Sequence, residues 1–429
     1  MQNRNHLQVE QESRIGMSAN KENTGNKENL SSSFILKHVR PIGGSSTDLL
    51  VRDGIIQQIA PDIKDPGDGT IIYKGHDNLL LPGLVNAHAH VDKNLLGIPW
   101  QRNEAPGSGI ADLIAYDLSV WKKLDLSSRV QSALQVRASI AAGITHIRSH
   151  IDIQPEFGAQ HFEGVLATRE EYKDTLTMQL VAFPQVGILS SPGVLELMED
   201  ALRQGVECVG GIDPSSRDHD PVSHLDTVFG LADRFDKEID IHLHEPGPLG
   251  AFSVELIAER THALGMQGRV TISHAFCLGM VNDAYLAKLI GLLLENRITI
   301  QSAGTGGTPL PPIKKLVEAG VSMCIGTDGV RDTWSSYNSV DMLDRVKMLG
   351  YRCRFKRDDE IEMLLDLATT GGAQVMGDQN YGLEVGKQAD FVVLPGETPV
   401  QVVIDQPKRT YVFKRGNLIA ADGECLIPD

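Results

Sequence analysis

The stretch that decides the fold is LLLPGLVNAHAHVDK, residues 79–93. A Pro-Gly pair breaks its apolar run, and a short strand is predicted from about Leu84 onward. Because side chains alternate between the two faces of a strand, His88 and His90 share one face. Two imidazoles on one face at the end of a buried strand predict half of a metal site. The alternative is a pair of histidines that cap a core strand.

Downstream of this stretch, apolar strands alternate with helical segments. The predicted strands are LVNAHAH (84–90), ITHIRSHIDI (144–153), LTMQLVAFPQ (176–185), ECVGGIDP (207–214), EIDIHLHE (238–245), RVTISHA (269–275), ITIQSAG (298–304) and VSMCIGTDG (321–329). Repeats of this kind predict an α/β fold, a TIM (β/α)8 barrel that spans residues 83–378. The active site of such a barrel lies at the carboxyl ends of its strands.

Short strands of a different texture occur at both ends of the chain. FILKHVRPI, TDLLVRDG, GIIQQIA and TIIYKG precede the barrel, and ADFVVLP, PVQVVID and RTYVFKRGNLIA follow it. We interpret them as antiparallel strands of one small β-sandwich, built from residues 34–82 and 379–429. Residues 1–33 are polar and are predicted to form a disordered tail, because they cannot bury enough apolar surface to offset the entropy of ordering.

The composition of the chain limits the kinds of molecule that it is expected to bind. The chain has 429 residues, a net charge of −16 and a pI near 5.3, which argues against nucleic acid and anionic membrane surfaces as partners. The five cysteines are scattered without a C-x-x-C pair, which is typical of reduced thiols in the cytoplasm. No apolar run is long enough for a membrane span, and no secretory leader is evident. The expected partner is a small molecule, and homo-oligomer formation is left open.

Polar residues end several of the predicted barrel strands. They are His88 and His90 on the first strand, Gln185 on the third, His242, His244 and Glu245 on the fifth, His274 on the sixth and Asp328 on the eighth. Burying such side chains without partners is costly, and a barrel strand has no structural need for them. We therefore expect these residues to meet across the mouth of the barrel.

Three imidazoles and one carboxylate suit a single divalent ion, Zn²⁺ or Fe²⁺. The predicted ligands are His88, His90, His242 and Asp328. The metal lowers the pKa of a bound water and supplies hydroxide. Asp328 can also accept the proton of that water, although a simple turn-forming role in IGTDG is the alternative.

The remaining polar residues receive narrower roles. Glu245 is predicted to carry a proton to a substrate nitrogen, and His274 to hold or polarise the hydroxide. For His244 a structural role is favoured, and His150 and Asp152 are interpreted as outer partners of the site. Solvated loop positions are predicted for His76, His161, His219 and His224.

Several of these motifs together resemble the amidohydrolase superfamily. LPGLVNAHAH, IDIHLHE, TISHA, IGTDG and the tail GAQVMGDQNYGLEVGKQADFVVL carry the resemblance, which extends from about residue 34 to the end. HAHVDK, HIRSHID, QLVAFPQVGIL, the spacing of His242 and Glu245, and the spacing of Asp328 and Trp334 are similar to the branch that contains cytosine deaminase and N-isopropylammelide amidohydrolase.

The resemblance implies one metal ion without a carboxylated lysine, and the same four ligands. It also implies Glu245 as the proton shuttle, with His274 beside the hydroxide. Gln185 would hydrogen-bond to a pyrimidine-like amide edge, and Trp334 would pack on the substrate ring. From the residues alone, Trp334 in RDTW fits a hydrophobic plug equally well.

The chain departs from cytosine deaminases at two positions. Gly329 and His244 stand where those enzymes have acids, so a substrate-facing carboxylate is expected to be missing after Asp328. The predicted function is metal-dependent hydrolysis of a C–N bond in a nitrogen heterocycle, by a deamination like that of cytosine deaminase, acting on an altered pyrimidine, a triazine or another cyclic amidine. The alternatives are hydrolysis of an N-substituted amine or a cyclic amide, and a catalytically silent binding protein.

Overall fold

The computed structural model describes residues 33–105, 107, 109–334 and 336–428. The predicted disordered tail therefore lies outside the described residues, apart from Ser33. Within the described part of the chain, no helix combines the length and the apolar character needed to cross a membrane.

Eight parallel strands form a barrel in which the order around the sheet is the order along the chain. These strands are β5 (Leu84–Ala89), β6 (Ile144–Asp152), β7 (Thr177–Phe183), β8 (Cys208–Ile212), β9 (Glu238–Leu243), β10 (Val270–His274), β11 (Thr299–Ser302) and β12 (Met323–Ile325). A backbone bridge between Ala89 and Asp328 connects the two outermost strands, β5 and β12. The predicted TIM barrel is confirmed, and its strands occur in the segments that the apolar runs indicate.

Each connection between consecutive barrel strands contains at least one helix, and further helices follow the last barrel strand. The helices are α1 (Ile110–Leu124), α2 (Ser128–Ala141), α3 (Ala159–Glu171), α4 (Val194–Arg203), α5 (Pro214–Arg217), α6 (Pro221–Phe235), α7 (Gly247–Ala263), α8 (Asp283–Glu295), α9 (Ile313–Glu318), α10 (Met342–Arg352), α11 (Asp358–Leu367), α12 (Thr370–Val375) and α13 (Pro399–Asp405). Helix α8 shows the underlying pattern. The side chain of Asn282 caps it by accepting from the backbone N–H of Tyr285, and Leu286, Leu289 and Leu293 form its buried stripe.

A second sheet combines strands from both ends of the chain. Its strands are β1 (Phe34–Pro41), β2 (Thr47–Arg52), β3 (Ile55–Ala60), β4 (Ile71–Pro82), β13 (Phe391–Leu394), β14 (Tyr411–Lys414), β15 (Asn417–Ala421) and β16 (Glu424–Cys425). Strand β4 lies between β1 and β13 and so joins the two halves. An aromatic core contains Phe34, Phe391 and Phe413, with the rings of Phe34 and Phe413 stacked at 4.6 Å. The predicted β-sandwich from both chain ends is confirmed.

Two details of this second unit correct the sequence analysis. Strands β1 and β4 pair in parallel, because the connection at 61–70 returns the chain to the start of β1 and Ile71 aligns with Phe34. PVQVVID forms helix α13 and not a strand. Thr398 accepts from the backbone N–H of Gln401, and Pro399 occupies the first turn, so local capping favours the helix over the strand propensity of valine. The predicted domain boundaries stay predictions.

Candidate active site

A cavity of about 370 Å³ is formed by residues at the carboxyl ends of the barrel strands. This volume falls within the range of small-molecule sites. The residues that line it and that the sequence analysis predicted for the site are His90, Gln185, His242, His274, Asp328 and Trp334. His88 lies beneath this surface and is fully buried.

The structure brings the four predicted metal ligands together. Oδ1 of Asp328 lies 3.3 Å from Nε2 of His90 and 3.7 Å from Nε2 of His88. The ring centroid of His242 lies 4.7 Å from that of His88 and 5.4 Å from that of His90. His88, His274 and Asp328 each offer a ligand atom within 4.8 Å of the others.

The chemistry of these donors fits a divalent cation. Nε2 of His88, Nδ1 of His90 and both ring nitrogens of His242 are buried without a hydrogen-bond partner among the described residues. Such groups are uncommon in folded proteins unless a ligand or water satisfies them. Burial lowers the pKa of His90 and of His242, so both rings are neutral. Burial opposes ionisation of Asp328, but the neighbouring imidazoles of His88 and His90 outweigh burial, and the pKa of Asp328 is lowered. Neutral imidazoles and an ionised carboxylate are the forms that bind metal.

A buried relay beneath the site fixes the tautomer of His88. Ser273 Oγ donates to Asp240 Oδ1 at 2.6 Å and lies 3.0 Å from Nδ1 of His88. Because the serine has only one hydroxyl proton, Nδ1–H of His88 donates to Ser273 and Nε2 is left unprotonated. Sequence analysis did not assign Asp240 or Ser273. The available signal was alternation, which places Asp240 on the same strand face as His242.

Further histidines surround this cluster. His150 is buried against it, with its ring 4.3 Å from that of His88 and 4.4 Å from that of His242. His244, for which a structural role was favoured, borders the cavity, and its ring stacks on His274 at 4.6 Å. Nδ1 of His244 lies 2.8 Å from Oδ2 of Asp213. Burial lowers the pKa of His244, but the Asp213 carboxylate outweighs burial and the net pKa is raised.

Glu245 is held away from the cavity. Its Oε1 accepts from the backbone N–H groups of Ser215 and Ser216, both at 2.7 Å, and its Oε2 accepts from the hydroxyl of Ser253 at 2.6 Å. The side chain is buried and does not border the cavity. The role of Glu245 as proton shuttle stays a prediction. It requires the carboxylate to break these hydrogen bonds and to contact a substrate nitrogen instead.

An ammonium group, that of Lys93, also borders the cavity. Lys93 Nζ donates to Oε1 of Gln185 and lies 3.4 Å from Oδ2 of Asp152. Nε2 of Gln185 donates to the same Asp152 oxygen at 3.2 Å. Burial raises the pKa of Asp152 to about 6. The Lys93 ammonium lies 5.9 Å from the ring of Trp334. The motif HAHVDK contains this lysine, but the sequence predicted no role for it. A loop has no periodicity that would indicate where its side chains point.

Two histidines predicted to be solvated are buried, so that prediction was wrong. His161 lies on the buried face of α3, with Nε2 3.0 Å from Oδ2 of Asp92. His224 lies on the buried face of α6, with Nδ1 2.7 Å from Oδ2 of Asp218. Each carboxylate satisfies an imidazole that its helix directs inward. His76 and His219 are exposed, as predicted.

Comparison with known proteins finds relatives that cover most of this chain. The chain is 32% identical over 383 residues to N-isopropylammelide isopropyl amidohydrolase of Pseudomonas sp. (strain ADP), covering 87% of this chain and 93% of that protein. The crystal structure of N-isopropylammelide isopropylaminohydrolase from Burkholderia multivorans ATCC 17616 superposes with a TM-score of 0.88 at 37% identity, covering 92% of this chain and 100% of that one. For 5-methylcytosine deaminase from Klebsiella pneumoniae, liganded with 5-fluorocytosine, the TM-score is 0.80 at 25% identity, covering 90% of this chain and 97% of that one. The sequence model of the amidohydrolase family matches residues 132–420. The chain therefore belongs to the amidohydrolase family.

Proposed function

We propose that this protein is a metal-dependent hydrolase that cleaves an exocyclic C–N bond of a nitrogen heterocycle. One observation carries the proposal. Buried imidazole nitrogens converge on the Asp328 carboxylate beside the cavity, and they have no hydrogen-bond partner among the residues that the structure describes. The printed names of the relatives support the substrate class, since they refer to N-isopropylammelide and 5-methylcytosine. The scattered cysteines support a cytoplasmic enzyme.

The ion is Zn²⁺ or Fe²⁺, held by His88, His90, His242 and Asp328. When bound, such an ion supplies Lewis-acid activation of water for attack on a ring carbon. The chain's own groups position the reactants and move protons. Asp328 accepts the proton of the attacking water, because its carboxylate is ionised and lies at the cavity surface.

The leaving nitrogen requires a proton. Glu245 is the proposed shuttle, and its four hydrogen-bond donors must be released before it can reach substrate. His274 borders the cavity and offers a ring nitrogen within 4.8 Å of a carboxylate oxygen of Asp328, so it is the proposed group that holds the attacking water. Variants of Glu245 test delivery of the proton, and variants of His274 test positioning of the water.

Two leaving groups fit the same machinery. An alkylamine is favoured by the apolar part of the cavity wall, which offers room for an alkyl substituent and consists of Ile110, Leu113, Phe183, Ile212 and Phe276. Ammonia, the product of the deamination that the sequence predicts, is supported by the likeness to 5-methylcytosine deaminase.

Product analysis tests the proposal. The purified protein is incubated with N-isopropylammelide, cytosine and 5-methylcytosine, and released isopropylamine and ammonia are measured separately. We expect release of one amine, its loss after treatment with a chelator, and its recovery on addition of Zn²⁺ or Fe²⁺. Activity that survives complete removal of metal would contradict the proposal, as would a metal-loaded protein that is silent on every heterocycle in a wider panel of pyrimidines, triazines and lactams.

A further inference from the structure

A glycine follows Asp328 in the cavity wall, and the carboxylate of Asp332 occupies the space that a side chain there would need. A Cβ built on Gly329 would overlap Oδ2 of Asp332 and would lie 2.8 Å from its Cγ. Non-bonded carbon atoms do not approach so closely without repulsion. Only the absence of a side chain at Gly329 therefore allows Asp332 to place its carboxylate at this point.

Three hydrogen bonds link residues of this loop to one another. The backbone N–H of Gly329 donates to Oδ1 of Asp328 at 2.9 Å, and the side-chain amide of Asn338 donates to the carbonyl of Gly329 at 2.7 Å. The backbone N–H of Trp334 donates to Oδ1 of Asp332 at 2.9 Å, which leaves Oδ2 as the oxygen next to Gly329. A hydrogen bond from the backbone therefore orients the Asp332 carboxylate.

The Asp332 carboxylate belongs to the cavity wall. The residue is only 8% exposed, and it borders the cavity together with Lys93 and Trp334. The charge of Asp332 helps to raise the pKa of the Lys93 ammonium, which borders the same cavity. This part of the wall therefore combines a carboxylate, which only accepts hydrogen bonds, with an ammonium, which only donates them.

We propose that Asp332 is the substrate-recognition acid of this cavity, and that it accepts a hydrogen bond from a ring or exocyclic N–H of the heterocycle. An adjacent carbonyl oxygen of the substrate then faces Lys93. The substrate class is accordingly a heterocycle that presents an N–H and a carbonyl side by side, as a lactam or cyclic urea does. This inference rests on the proposed function, because it assumes that a nitrogen heterocycle occupies the cavity.

The first experiment removes the carboxylate of Asp332 and then supplies a carboxylate from position 329 instead. Steady-state kinetics are measured with N-isopropylammelide and with its ring N-methyl derivative, for wild type, Asp332→Asn and the double variant Gly329→Asp/Asp332→Gly. We expect Asp332→Asn to lower kcat/KM for N-isopropylammelide about tenfold or more, mainly through KM, because a site built for a polar group discriminates strongly when one partner is lost. The double variant restores part of this loss, because its carboxylate extends into the same space.

The two probes distinguish recognition from a general disturbance. Wild type discriminates against the N-methyl derivative, whereas Asp332→Asn discriminates much less, since the acceptor that reads the N–H is gone. Metal content stays unchanged in all variants. The matched control is Asp283→Asn on the exposed start of α8, which leaves the kinetics unaltered.

A stability measurement tests the shared space itself. Gly329→Ala lowers Tm in the wild-type background but has little effect in the Asp332→Gly background, so the two changes are not additive. Additive effects on Tm would overturn the geometry on which the inference stands. If wild type is active and Asp332→Asn has the same kcat/KM as wild type for both probes, the role of Asp332 is overturned and the proposed function stands. A wild type that neither binds nor hydrolyses either probe would count against the proposed function, and the role of Asp332 would fall with it.

Discussion

The backbone N–H of Asp328 donates to the carbonyl of His88 at 2.9 Å. This bond follows β12 and reaches β5, so the contact that completes the barrel also joins two of the proposed metal ligands. Gly326 lies at the same junction, where a Cβ would be 2.7 Å from the Cα of His88. Barrel closure and the geometry of the site therefore depend on one close approach of two backbones.

A methyl group at this junction should affect stability and metal binding together. We expect Gly326→Ala to push β12 away from β5, at a cost of about 1–3 kcal/mol for overpacking. Tm and metal stoichiometry, measured on the same preparation, should both fall. Gly291→Ala in α8 is the control, because a Cβ there meets no atom of the described residues within 4 Å. A Gly326→Ala protein with full metal content and an unchanged Tm would contradict the proposed coupling.

The barrel was predictable because its strands are buried on both faces and read as apolar runs. Polar residues at their ends then stood out, and His88, His90, His242 and Asp328 meet as alternation and parallel pairing require. Parallel strands place their carboxyl ends at the same edge, so position along each strand was enough to bring these residues together.

Loop residues were not predictable in the same way. Lys93 and Asp332 both border the cavity, but neither lies in a regular element. The sequence indicated that Gly329 removes a substrate-facing carboxylate, whereas the structure places the carboxylate of Asp332 in that space. Loop conformation depends on individual hydrogen bonds, such as that from Asn338 to Gly329, and these have no periodic signature.

His242 should be indispensable for metal binding. Within the described part of the chain, both of its ring nitrogens are buried without a hydrogen-bond partner, so no hydrogen bond there holds the ring in place. We expect His242→Ala to lose bound metal and turnover together. Its affinity for the metal should fall by roughly tenfold or more. Elemental analysis of the purified variant provides the measurement, and the exposed His219→Ala serves as the control. Metal retained at full stoichiometry in His242→Ala would count heavily against the proposed ligand set.

Glu245→Gln should retain metal but lose both turnover and stability. The carboxylate accepts from Ser215, Ser216 and Ser253, and an amide would direct an NH₂ group at one set of these donors. An unsatisfied buried group of this kind costs about 1–3 kcal/mol. Thermal unfolding and kinetics are measured beside Glu259→Gln, an exposed glutamate on the same helix as Ser253. An unchanged Tm would show that the carboxylate is free of these donors, and full turnover would exclude Glu245 as the shuttle.

A polar cluster between the barrel and the β-sandwich should make stability depend on pH. Asp378 Oδ2 lies 2.9 Å from Nε2 of His146, which lies on β6, and Lys414 of β14 pairs with Asp390 at 2.6 Å beside it. The hydrogen bond with His146 lowers the pKa of Asp378 to about 2, from an ordinary value of 3.8. A carboxyl whose pKa is lower in the folded protein stabilises it above the ordinary pKa, and this contribution is lost as the pH falls toward the folded value.

The test compares wild type with Asp378→Asn by urea unfolding at several pH values. Near pH 5 the variant should be less stable by about 1 kcal/mol, a figure reduced for the partial solvent exposure of Asp378. As the pH falls from about 4 to about 2, the difference should shrink, because the wild-type carboxyl takes up a proton and loses its advantage. Asp174→Asn, at an exposed position after α3, is the matched control. A gap between wild type and Asp378→Asn that is constant from pH 5 downward would mean that the interaction with His146 does not depend on the charge of Asp378.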